Sequence, residues 1–135
     1  MSILDLSNLD LDNVSELHIL PADSEVKLRI TDITSGVGQS GLTWWRLSLI
    51  PVDDDLAKEI REFITIPDAS IQEPRKFAGS VQRFKIFLSA FAIPFNAVLA
   101  DESELIGREA WATLGQKENE GYGLENTVKR WMAQR

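Results

Sequence analysis

The hydrophobic period of this chain changes twice, and those changes limit the folds open to it. Over "SEVKLRITDI", Val26, Leu28 and Ile30 alternate with Lys27, Arg29 and Thr31, the two-residue repeat of a strand with one buried face. "LTWWRLSLI" repeats the pattern, with Trp45, Leu47 and Leu49 inward and Trp44, Arg46 and Ser48 outward. "REFITI" makes a third strand, with Ile64 and Ile66 inward and Arg61, Phe63 and Thr65 outward, and Pro67 ends it. From Pro74 the spacing lengthens. Phe77, Val81, Phe84, Leu88 and Phe91 recur at steps of three and four, the buried stripe of a helix that starts at Glu73-Pro74 and stops before Pro94. Period two returns in "REAWATLG" and "YGLENTVKRW", on either side of a loop around "QKENEG".

Three meandering strands, one helix and a closing hairpin make a mainly β fold. The expected architecture is a five-stranded OB-fold barrel over residues 24–135, with one α-helix between strands 3 and 4 plugging one end. A generic α+β domain is the alternative. Residues 1–23 carry a Leu-Asp rhythm and close near Pro21; they read as an acidic N-terminal arm, extended or partly ordered.

Composition narrows the chemistry. The 135 residues, 44% hydrophobic and 26% charged, suit one domain with its own core. The lack of cysteine removes disulfides and thiolate metal sites, and the single histidine, His18, argues against a zinc site or a histidine-based triad. Asp53, Asp54 and Asp55 are adjacent rather than spaced to converge on a divalent ion, and read as a solvated loop. "GVGQSG" is not followed by the Gly-Lys-Ser/Thr of a nucleotide P-loop. It reads as a hairpin turn, with Gln39 and Ser40 placed to line a groove edge. No acid, base and nucleophile converge, so the expectation is a non-enzyme without cofactor or metal. No apolar run reaches membrane-spanning length, and the N-terminus lacks the basic start of a signal peptide. A cytoplasmic protein without a membrane partner is expected.

A net charge of −7 argues against nucleic acid, but the distribution argues the other way. Acids gather at Asp5, Asp10, Asp12, Glu16 and Asp23, at Asp53–Asp55, and at Asp101, Glu102 and Glu104. The outward residues of the first three strands are Lys27, Arg29, Thr31, Trp44, Arg46, Ser48, Arg61, Phe63 and Thr65: four cations, two aromatics, three hydroxyls and no acid. A single-strand binder needs cations for phosphates and flat rings on which bases of any sequence stack. Trp44 is then a stacking platform and Trp45 core, although a bulge near the glycine loop would exchange the two. Tyr122, between Gly121 and Gly123 at a hairpin tip, is placed to pinch a base, and Lys117 and Lys129 to add phosphate contacts. Trp111 and Trp131 are read as core or edge packing. The bland reading of an exposed tryptophan beside an arginine is cross-strand packing, or a patch covered by the arm or another subunit.

Three segments, "SEVKLRITDI…SGVGQSGLTWWRLSLIPV", "FKIFLSAFAIP" and "ELIGREAWATLGQKENEGYGLENTVKRW", resemble a family of small bacteriophage and prophage OB-fold proteins. That family is associated with single-stranded DNA binding in phage replication and recombination. The resemblance runs over roughly residues 22–132. By position, Gly41 matches the turn glycine, Gly107 the glycine leading into the fourth strand, and Asn126 and Val128 the closing strand; these look structural. The resemblance implies binding through the groove of the first three strands, in the host bacterial cytoplasm. One departure is the basic ending "KRWMAQR", where bacterial single-strand binders carry an acidic, glycine-rich tail. The acidic arm would substitute, recruiting a replication or recombination protein, or would compete for the groove. The expected function is sequence-tolerant single-stranded DNA binding, with RNA and an oligomeric state left open. The rival is an OB-like protein-interaction module, or a phage structural or adaptor protein, without nucleic-acid binding.

Overall fold

The computed structural model describes Ser7 and residues 17–121 and 123–133. The elements follow in the order β1 (Glu25–Val37), β2 (Thr43–Pro51), β3 (Ile60–Thr65), α1 (Pro74–Ala90), a 3₁₀ turn (Glu102–Leu105), β4 (Glu109–Asn119) and β5 (Gly123–Trp131). The five strands form one antiparallel sheet in the order β3-β2-β1-β4-β5. Among the described residues the fold is mainly β, with a single α-helix between the third and fourth strands. The sheet is open between its edge strands, β3 and β5. No helix among the described residues is long and apolar enough to cross a membrane.

The alternation read from the sequence fixes which face is buried. Leu28 and Ile30 of β1, Leu47 and Leu49 of β2, Ile60 of β3 and Leu114 of β4 are fully buried. Burying each such side chain contributes roughly 1.5–3 kcal/mol. In β1 the register shifts between Ile30, opposite Leu49, and Asp32, opposite Ser48. Thr31 is the extra residue of this bulge, and its hydroxyl donates to the Ser48 carbonyl at 3.2 Å. The inward set therefore resumes at Ile33 rather than continuing the original parity. The strand also runs four residues past the alternating segment, to Val37, so the expected loop shrinks to residues 38–42. The Gly38 amide donates to the Leu42 carbonyl at 2.9 Å, and Gly41 takes a φ of 90° that other residues rarely adopt.

Proline in its first turn starts α1. Phe87 and Leu88, followed by Phe91 just past the helix end, are buried, whereas Phe77, Val81 and Phe84 are half-buried. Rings connect the layers: Trp45 of β2 lies 5.8 Å from Phe84, Phe84 6.2 Å from Phe87, and Phe87 and Phe91 5.8 and 5.0 Å from Trp131 of β5. Phe87 thus has the central place in the aromatic core. The expected stripe stepped over it, from Phe84 to Leu88.

Residues 17–23 lie against the domain. The Leu20 amide donates to Asn126 Oδ1 at 2.7 Å, and Asn126 Nδ2 and Gln116 Nε2 donate to the Leu20 carbonyl at 2.8 and 2.9 Å. The His18 amide donates to the Leu56 carbonyl, and the His18 carbonyl accepts from the Lys58 amide. This end of the expected arm is docked by backbone and side-chain hydrogen bonds that the sequence gives no sign of. The rest of the arm, apart from Ser7, lies outside the described residues.

Candidate nucleic-acid interface

On the outward face of β1, β2 and β3 the strand registers align into three rows. Gly36, Trp44 and Thr65 form one, Thr34, Arg46 and Phe63 the next, and Asp32, Ser48 and Arg61 the third. Cross-strand neighbours on one face stand roughly 4.5–5.5 Å apart, so the nine positions make a compact patch. Trp44 and Phe63 are diagonal neighbours whose rings meet edge to face, centroids 5.6 Å apart at 69°. Trp45 points the other way and packs against the core, so the two tryptophans divide as their strand parity requires. A Cβ on Gly36 would overlap the Trp44 indole; the indole therefore lies across β1 at the one position in its row that has no side chain. Phe63 is 63% exposed. Arg46 and Arg61 are exposed, and no ion pair engages either among the described residues.

Lys27 and Arg29 share this face on the other side of the β1 bulge, where β4 sets Trp111 and Glu109 opposite them. Glu109 engages both cations: Arg29 Nη2 is 2.6 Å from Oε2, and Lys27 Nζ is 3.4 Å from Oε1. The hydrogen bond from Arg29 is the main reason its carboxyl titrates below the ordinary range. The face is therefore not free of acids. The bulge brings Asp32 onto it and β4 contributes Glu109, two residues that a reading of three separate strands does not place there.

The remaining candidates lie elsewhere. Lys129, skipped by the register shift of β5, pairs with Asp23 at 2.7 Å. Lys117 lies opposite Glu125 on β4. Tyr122 lies outside the described residues. Trp131 and Trp111 are both half-buried, and Trp131 packs against the core. In the Asp53–Asp55 run, Asp54 accepts from the Leu56 amide and pairs with His18 at 2.7 Å, which makes it a turn-stabilising group.

Glu62 carries a role that the sequence reading passed over. It falls on the inward parity of β3, between Ile60 and Ile64, at the open edge facing β5. Its Oε1 accepts from the Val128 amide of β5 at 2.7 Å, so a side chain bridges the gap the backbones leave. Burial lifts its pKa above the ordinary carboxylate value, while the Val128 amide and the charge of Lys117 oppose the rise. The available signal was parity alone, which already put a carboxylate among inward residues. No protein-family model matches the chain, and no curated protein matches it in sequence.

Proposed function

We propose that this protein binds single-stranded DNA without sequence selection and without catalysis, through the outward face of β1, β2 and β3. The observation that carries the reading is the patch in which Trp44 and Phe63 meet beside Arg46 and Arg61. The rings offer stacking surfaces worth roughly 1–3 kcal/mol per base, and tolerate any base because each has a π-face. Arg46 stands in the row of Phe63 itself and Arg61 in the next row, where both can neutralise the phosphates of stacked nucleotides. Lys27 and Arg29 extend the cationic track when a phosphate displaces Glu109.

The strand order β3-β2-β1-β4-β5, with β3 and β5 bridged by Glu62, supports reading the sheet as a partly open OB barrel. In that fold the faces of strands 2 and 3 bind oligonucleotides. The resemblance over residues 22–132 to phage and prophage single-strand binders supports a role in phage DNA replication or recombination. The acids Asp32 and Glu109 on the same face favour the rival, a surface that docks a protein.

Tryptophan fluorescence titrated with oligo-dT, duplex DNA and RNA at two salt concentrations tests the proposal. Quenching by single strands that weakens with salt and fails in Trp44→Ala is the expected result. Absence of any response to single strands, even in dilute buffer, favours the rival.

A further inference from the structure

We infer that the cleft between β3, α1 and β5 is a second subsite of the same interface, taking a nucleobase from the strand that crosses the Trp44 platform. The inference rests on the single-strand reading of that platform.

Phe63 is the link between the two places. Its ring meets Trp44 edge to face, and the same residue also lines this cleft of about 350 Å³, at the lower end of the volumes usual for small-ligand sites. A strand leaving the platform over Phe63 therefore meets an opening beside it. The walls beyond Phe63 are mixed: Phe84 and Ile86 from α1 and Trp131 from β5 give them an apolar, aromatic part, and Thr65 and Ser80 add hydroxyls. Arg83 and Arg130 also line the cleft and are exposed, and no ion pair engages either among the described residues. The apolar, aromatic part with cations beside it matches a nucleotide, whose base is flat and poorly hydrated and whose phosphate is anionic.

Glu62 adds the polar element. It lines the cleft with one oxygen committed to the Val128 amide, and no hydrogen bond to its Oε2 is found among the described residues. Every nucleobase carries at least one N–H on its pairing edge, the edge that single-strand binders read. A carboxylate acceptor here orients a base without choosing among the four, consistent with sequence-tolerant binding. The open seam between β3 and β5 thereby acquires a use: a paired seam would fill the space with backbone.

The test compares wild type, Trp44→Ala and the double variant Arg83→Ala/Ile86→Ala, whose residues are both exposed on α1, after thermal unfolding has shown each to be folded. Anisotropy is read with a short oligo-dT confined to the platform and with a longer one that reaches the cleft. The double variant is expected to bind the short strand as wild type does and the long strand roughly tenfold more weakly, the loss of about one stacked base. Long strands with abasic residues in one half or the other separate base from phosphate. In the polarity that leaves bases on the platform, wild type is expected to lose affinity and the double variant to be indifferent. Equal affinity of wild type and double variant for the long strand overturns the cleft subsite while Trp44→Ala still weakens binding. Indifference of wild type to both abasic polarities also overturns it. Failure of wild type to bind any single strand removes the platform reading, a distinct result.

Discussion

Arg29 and Glu109 stand opposite each other across the β1–β4 pair, and Glu109 Oε2 accepts from Arg29 Nε at 2.8 Å. Lys27 shares the same carboxylate. Two of the cations on the proposed binding face are thus held by an internal anion, which a phosphate must displace.

Glu109→Gln is therefore expected to tighten single-strand binding. Each additional phosphate neutralised steepens the log–log salt dependence by about 0.7 for single strands, so a steeper slope is expected, with the limit set by Lys27 and Arg29 together. Acid should act in the same direction. The pKa of Glu109 is lowered in the folded protein, so its ion pairs are present above the ordinary value and lost as pH falls through the lowered one. Affinities measured at several salt concentrations for both proteins check this, and an unchanged slope would rule it out.

Gly36→Ala tests the platform from beneath. The added methyl overlaps the Trp44 indole, which must leave its place over β1. The expected outcome is a changed near-ultraviolet circular dichroism signal and a loss of affinity approaching that of Trp44→Ala, roughly 1–3 kcal/mol. Phe63→Ala should lose a comparable amount with little change in melting temperature, because Phe63 is mostly exposed. Trp45→Ala should destabilise the fold, because Trp45 packs on the core against Phe84.

Glu62 separates two effects. Its pKa is raised on folding, so the stabilisation tied to its proton is fully present below the unfolded value and lost as pH rises through the folded one. Glu62→Gln keeps an acceptor for the Val128 amide and removes the buried charge. Its stability at pH 7 is expected to equal or exceed that of wild type, with a flatter profile between mildly acid and neutral pH. Glu62→Ala leaves the Val128 amide without its acceptor and should cost about 1–3 kcal/mol. Urea unfolding at three pH values distinguishes the two variants.

Asn126→Ala removes the partner of the Leu20 amide and two donors, to the Leu20 and Gly115 carbonyls. A loss of about 1–3 kcal/mol is expected for each group left unpaired and dry. Hydrogen exchange should show the Leu20 amide losing protection before the amides of β4.

Much of this architecture was legible because alternation is a local signal. Leu28, Ile30, Leu47 and Leu49 identify the inward face of β1 and β2 directly, and Trp44 and Trp45 separate by parity. What escaped was set between elements. The Thr31 bulge, which turns Asp32 outward, depends on how β1 registers against β2. Glu109 reaches Lys27 and Arg29 only because β4 lies beside β1. Phe87 was missed because a helix buries a band wider than one three-and-four stripe. Docking of Leu20 rests on the amide of Asn126, a residue distant in sequence whose hydrogen bonds have no periodic signature.

The β1–β4 pairing, from Glu25 opposite Thr113 to Arg29 opposite Glu109, also shapes how the chain comes off the ribosome. The side of β1 that β4 will cover has no partner until some 80 further residues have been made, roughly 4–16 s at 5–20 residues per second. During that interval β1 and β2 can already form their hairpin, leaving a row of open amides and carbonyls on the far edge of β1. The charged pair Lys27 and Arg29 lies along that edge, where it repels a second nascent copy and discourages edge-to-edge aggregation until Glu109 arrives to close it.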